Sequence, residues 1–186
     1  MSNFTISVFT ENKTGLLTRV VSVFTRRHIN IESLTTSQSS MENIHRFTIV
    51  VDVSEEKVRK LVAQLDKQVD VLKAFYYHPE EVVYQEIALY KIPTEAFMNS
   101  NGVERLIRSH NARILDIERE YIVVEKTGHQ EETAALLNDL REQLGGIYEF
   151  VRSGRVAIVK PMEQLNRYLE TISGEQANGH AAAMGE

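Results

Sequence analysis

The chain has 186 residues, of which 42% are apolar and 25% charged, close to a soluble globular average and enough for one large or two small domains with ordinary cores. It contains no cysteine, which excludes a disulfide framework, a thiolate metal site and a cysteine nucleophile. A net charge of −5 gives no footprint for nucleic acid, and no run approaches the ~18 apolar residues of a membrane span, so the expected setting is cytoplasmic.

"FTISVFT" alternates with period two, and Leu16, Leu17, Val20, Val21 and Phe24 then recur at helical spacing, so a strand should lead through a glycine turn into an amphipathic helix. "INIESLTTSQ" and "IHRFTIVVDV" are β-rich runs separated by the polar "SSMEN", the pattern of an antiparallel hairpin. "SEEKVRKLVAQLDKQ" opens on Ser54 and acidic residues and carries Val58, Leu61, Val62 and Leu65 on one helical face, before the strand-like "VDVLKAFYY". The order is β-α-β-β-α-β, that of a ferredoxin-like unit with both helices on one face of an antiparallel sheet.

After "HPEEVV" the same order returns. "YQEIALYKI" reads as strand, "NGVERLIRSH" as helix, "ARILDIE" and "EYIVVEKT" as hairpin, "HQEETAALLNDLREQL" as helix and "GIYEFVRSGRVAIVK" as extended chain. Residues 61–75 align with 136–150 without a gap, matching apolar residues at the first, second, fifth, ninth, twelfth and fifteenth places. The expected class is therefore α+β, two tandem ferredoxin-like units: 1–78, a linker at 79–83, and 84–161. Residues 162–186 form a C-terminal segment, and the small and polar composition from Gly174 onward predicts a largely disordered tail.

Groups that do chemistry are not clustered in this sequence. The six histidines, at 28, 45, 78, 110, 129 and 180, never form the i, i+4 pair that puts two nitrogens on one metal, so no metal ligand is assigned. Of the paired acids Glu55 and Glu56, Glu80 and Glu81, and Glu131 and Glu132, two pairs fall at predicted helix starts, where carboxylates suit the macrodipole. Phosphate loops, dinucleotide fingerprints and nucleophile elbows are lacking, and no catalytic residue is assigned.

The segment "TENKTGLLTRV" offers recognition instead. A glycine at a helix start leaves the amides of Gly15, Leu16 and Leu17 open to an anion such as a carboxylate. Asn12 lies three residues earlier, and Asn30, followed by Ile31, opens the next predicted strand with a second side-chain amide. An amino acid, with its carboxylate and ammonium beside small apolar groups, matches that set. The same residues also read as plain turn chemistry, and on residue types alone both readings stand.

The stretches "ENKTGLLTRV", "INIESLT", "VDVLKAF" and "VRSGRVAI", in this order over about residues 4–161, resemble the small regulatory subunits of acetohydroxyacid synthase, also called acetolactate synthase. These are ACT-domain proteins. The resemblance implies an N-terminal ACT domain followed by a second ferredoxin-like domain. It implies a non-catalytic chain that activates a separate catalytic subunit and confers feedback inhibition by a branched-chain amino acid, usually valine. It implies that thiamine diphosphate, FAD and magnesium belong to that catalytic partner and that this chain holds no cofactor. It implies a homodimer through the ACT domain, with the effector between two chains: Asn12 and the Gly15, Leu16 and Leu17 amides on one side, Asn30 and Ile31 on the other. Another tandem-ACT amino-acid sensor would share the first unit but not "NIESLT" and "RSG". In the second unit, Asn99, Ser100, Asn101 and Gly102 repeat the Asn-x-x-Gly spacing before a helix and read as an ordinary loop more readily than as a second site.

Overall fold

The computed structural model describes residues 2–98 and 101–160. The predicted C-terminal segment and tail, and Asn99 and Ser100 of the second Asn-x-x-Gly stretch, lie outside the described residues. Strand β1 (Ser2–Glu11) leads into helix α1 (Leu16–Arg26), then the hairpin β2 (Ser33–Gln38) and β3 (Ile44–Val53), helix α2 (Glu55–Leu65) and strand β4 (Val71–Tyr77). The sheet is antiparallel in the order β2-β3-β1-β4. Alternation on β1 puts Phe4, Ile6 and Val8 on the helix side, and the register places them opposite Val51, Ile49 and Phe47 of β3. Val20, Val23 and Phe24 of α1 and Val58, Leu61 and Leu65 of α2 close this core. Each such side chain contributes ~1.5–3 kcal/mol by leaving water. The face of α1 is rotated from its expected position: Val23 is buried, whereas Leu17 is 46% exposed. Strand β2 also starts later than expected, so Asn30 and Ile31 belong to the α1–β2 loop rather than to the strand.

The residues of the second unit repeat the connectivity. A 3-10 turn (Pro79–Glu81) runs directly into β5 (Val82–Pro93), so the stretch expected as a linker is ordered and begins a strand. There follow α3 (Thr94–Met98), α4 (Asn101–Ser109), β6 (Arg113–Ile117), β7 (Tyr121–Gly128), α5 (Gln130–Leu144), β8 (Glu149–Arg152) and β9 (Val156–Val159). The order β6-β7-β5-β8 is the counterpart of β2-β3-β1-β4. Leu136 and Leu140 of α5 are fully buried at the places that Leu61 and Leu65 fill in α2, as the alignment of 61–75 with 136–150 requires. Helix α3 was not foreseen in the residues before α4.

The last extended run is two strands rather than one. Residues Ser153–Arg155 break it, and they cross the outer face of the first sheet. Arg155 Nη1 donates to Thr5 Oγ1 at 2.7 Å, its guanidinium lies 3.7 Å from the Tyr84 ring centre, and Thr35 Oγ1 donates to the Ser153 carbonyl at 3.3 Å. Tyr77 of β4, Val82 of β5 and Ala157 of β9 form a small joint core beside them. Gly154 has φ +77°, and an added Cβ would lie 3.1 Å from Ser33 Cβ, so both conformation and space demand glycine. The crossing explains why Thr5, Ser7 and Thr48, on the side of the sheet away from the helices, are buried.

Candidate binding site at the start of the first helix

Gly15 occupies the N-cap of α1 with φ 82° and ψ −1°, a left-handed conformation that L-residues with a Cβ adopt at a cost, and nothing lies within 4 Å of where a Cβ would be. The space in front of the helix start is therefore open. Among the described residues the amides of Gly15 and Leu17 meet no acceptor, while that of Leu16 makes a long 3.4 Å bond to the Lys13 carbonyl. These groups, with the positive end of the helix dipole, can receive a carboxylate. Asn12 is held by its own backbone, whose N–H donates to the Asn43 carbonyl at 2.8 Å, leaving an exposed side chain at the rim. The exposed Leu17 supplies an apolar surface there.

A charged clamp fixes this loop. Lys13 Nζ lies 2.8 Å from one oxygen of Asp70, Arg19 Nη1 lies 2.5 Å from the other, and Lys13 also meets Glu11 at 2.6 Å. Asp70 itself has φ 72° and its carbonyl accepts from the Glu11 N–H at 3.2 Å. The hydrogen bond from Lys13, ahead of the nearby positive charges, holds the Asp70 carboxyl below the ordinary value of 3.8, and the same pair raises Lys13. The Asp70 contact spans 57 positions from Lys13, so no local signal in the sequence could have revealed it.

Asn30 and Ile31 lie at the other end of α1. Glu32 N–H donates to the Val50 carbonyl and Ser33 pairs with Val50, which pairs in turn with Thr5, whereas Asn12 follows the far end of β1. The 11 residues of α1 put about 16 Å between the two ends. Within one chain the structure thus brings Asn12, Gly15, Leu16 and Leu17 together and leaves Asn30 and Ile31 apart from them. Asn30 is exposed, with Nδ2 donating to Glu32 Oε1 at 2.7 Å, and Ile31 packs its side chain against the first core.

The corresponding place in the second unit is built differently. Helix α3 occupies the chain between β5 and α4, anchored by Thr94, whose N–H and Oγ1 donate to the Glu120 and Glu118 carbonyls. The buried polar cluster of that unit serves the fold: Glu86 accepts from Thr133 Oγ1 at 2.5 Å and from Arg152 Nη1 at 3.3 Å, and Tyr90 Oη donates to the Thr133 carbonyl at 2.7 Å. Among the described residues no three His, Asp or Glu side chains stand together as a metal site, and no helix is long and apolar enough to cross a membrane.

Comparison with known proteins places both units in one family. Residues 6–73 match the family model of the AHAS small subunit-like ACT domain, and residues 85–161 match the model of the small subunit of acetolactate synthase. The chain is 34% identical over 169 residues to the acetolactate synthase small subunit of Bacillus subtilis, covering 90% of this chain and 96% of that one. It is 35% identical over 156 residues to a probable acetolactate synthase small subunit of Archaeoglobus fulgidus, covering 84% and 96%. The crystal structure of the acetolactate synthase small subunit from Thermotoga maritima superposes with a TM-score of 0.78 at 27% identity, covering 87% of this chain and 99% of that one. With both units matched in order and nearly the whole length of these relatives covered, the chain belongs to the family of acetolactate synthase small subunits.

Proposed function

We propose that this chain is a non-catalytic regulatory subunit of acetohydroxyacid synthase, which activates a separate catalytic subunit and makes it sensitive to a branched-chain amino acid, valine first among them. The catalytic partner carries thiamine diphosphate, FAD and magnesium, and the complex works in the cytoplasm. The first unit (1–78) binds the effector and pairs with a second copy, and the second unit (84–161) engages the catalytic chain.

The observation that carries this reading is the left-handed Gly15 with open amides and open space before α1, set a helix length from Asn30 and Ile31. The open amides receive the effector carboxylate, and Asn12 hydrogen-bonds its polar groups. Leu17 and the partner protomer's copies of Asn30 and Ile31 complete the site. Two half-sites at opposite ends of one helix suit a two-fold arrangement, in which each end meets the other end of its neighbour. Control then needs only differential affinity, the effector binding the inhibited form of the complex better than the active one.

Isothermal titration of the full chain with valine, leucine and isoleucine tests this reading, beside the Asn30→Ala variant and with the catalytic subunit added in a second series. Saturable heat for one amino acid, lost in Asn30→Ala, supports the site. The reading is abandoned if none of the three binds in either series.

A further inference from the structure

Arg46 is a cation of the first sheet that the effector reading does not use. It projects from β3 on the side away from the helices, and the register places it between Phe9 on β1 and Ser37 on β2. Its Nη2 donates to Ser7 Oγ at 3.0 Å and its guanidinium carbon lies 5.6 Å from the centre of the Phe9 ring. The Nε atom is buried and has no partner among the described residues. Arg19, Arg108, Arg113 and Arg152 each lie within 4 Å of a carboxylate, but Arg46 does not. Burial works against its charge, and the titratable group that bears on it is Tyr77, whose hydroxyl burial pushes up to about 12 and so keeps neutral at pH 7.

This guanidinium faces a cleft of about 240 Å³ under the crossing of the second unit, roofed by Val156 and Ala157. Ser37, Ser40 and Thr48 line the cleft, and their hydroxyls make no hydrogen bond among the described residues. A half-buried cation without a counter-charge is costly, and several free hydroxyl donors around it are the complement of an oxyanion. The volume is several times the ~30 Å³ share of a water molecule, enough for a small anion.

We propose that this cleft binds a small oxyanion, a phosphate or a carboxylate, through Arg46 and the surrounding hydroxyls. The site is on the outer face of the sheet, not at the helix start, and stands whether or not a branched-chain amino acid binds at Gly15. An anion there lies where the second unit crosses the first, and it ties Arg46 to that crossing.

Thermal unfolding of the full chain in sodium phosphate and in sodium acetate, each against sodium chloride at matched ionic strength and pH 7, tests it. The expected result is a saturable rise in Tm of roughly 2–4 °C. A response to phosphate alone assigns the phosphate class, and one to acetate alone the carboxylate class. Arg46→Met, which keeps length and removes charge, abolishes the rise. Val156→Glu, at an exposed position on the cleft, supplies a carboxylate in place of the ligand and abolishes it as well, deciding the matter if Arg46→Met does not fold. No saturable rise with either anion, or a rise of the same size in the variants that fold, overturns the proposal.

Discussion

The two units share strand order, helix placement and buried leucines, yet they finish their surfaces in different ways. In the first, the outer face of the sheet is covered by residues 153–157, and the chain before α1 is left open around a left-handed glycine. In the second, helix α3 lies between β5 and α4, and the outer face stays accessible, with Val151 exposed beside Leu89 and Val123. The two units thus differ outside their shared geometry, in the loop before the first helix and on the face without helices, which are the places where a fold of this kind can be given separate tasks.

The sharpest way to break this comparison is to strike the matched cores. Leu65→Ala and Leu140→Ala should each cost ~2–5 kcal/mol. Because Arg155 and the Tyr77, Val82 and Ala157 cluster join the units, calorimetry should show one unfolding transition for both variants; two separate transitions would mean that the crossing does not couple them.

Arg155→Met addresses the joint itself. It removes a buried guanidinium and leaves Thr5 Oγ1 unpaired at the centre of the sheet, an expected loss of ~1–3 kcal/mol in urea unfolding. It should also separate the two units into distinct transitions, which neither core substitution does.

Gly15→Ala tests the open loop. Strain at positive φ should cost about 1–2 kcal/mol without any clash, and the new methyl group should intrude before the free amides. Titration should then show effector affinity reduced roughly tenfold or more, equivalent to about 1.4 kcal/mol. The corresponding change in the second unit, Gly102→Ala, should leave effector affinity unchanged.

The smallest effect belongs to the charged clamp. The folded-state Asp70 carboxyl titrates below its ordinary 3.8, so its ion pairs stabilise the chain above that pH and the benefit is lost as pH falls through the lower folded-state value. Asp70→Asn keeps a residue that tolerates left-handed backbone and removes the charge. Stability measured from pH 6 to pH 2 should fall less steeply for the variant than for the natural chain.

Most of the fold was legible because strands and helices announce themselves by period. Residues 44–53 show it: apolar residues recur in alternation, and β3 occupies that whole range. Gly15 was legible as well, since a glycine before an apolar helix has a local physical reason. What stayed hidden depends on contacts distant in sequence. Thr5, Ser7 and Thr48 look like solvent-facing members of their alternation, and only the crossing of Ser153–Arg155 buries them. Asp70 resembles any polar turn residue until its contacts with Lys13 and Arg19 are seen. Leu17 fits a helical apolar pattern, but such a pattern is consistent with several rotations of the helix, and the sheet below selects the one that turns Leu17 outward.

Strand β5 has a practical consequence for anyone who would divide the molecule. Its first four residues, Val82 to Gln85, pair with β9, and from Glu86 onward it pairs with β7, joined by β8 from Ala88 to Lys91. A gene cut after Val82 or Val83 severs a beam rather than a tether. The downstream fragment loses the mates of Ile158 and Val159 if it starts at Tyr84, and the upstream fragment loses the cover over Tyr77 wherever the cut falls. Domain exchange between relatives should therefore carry the whole of Val82–Pro93 together with Val156–Val159, and supply Thr5 and Ser33 from a first unit shaped to receive them.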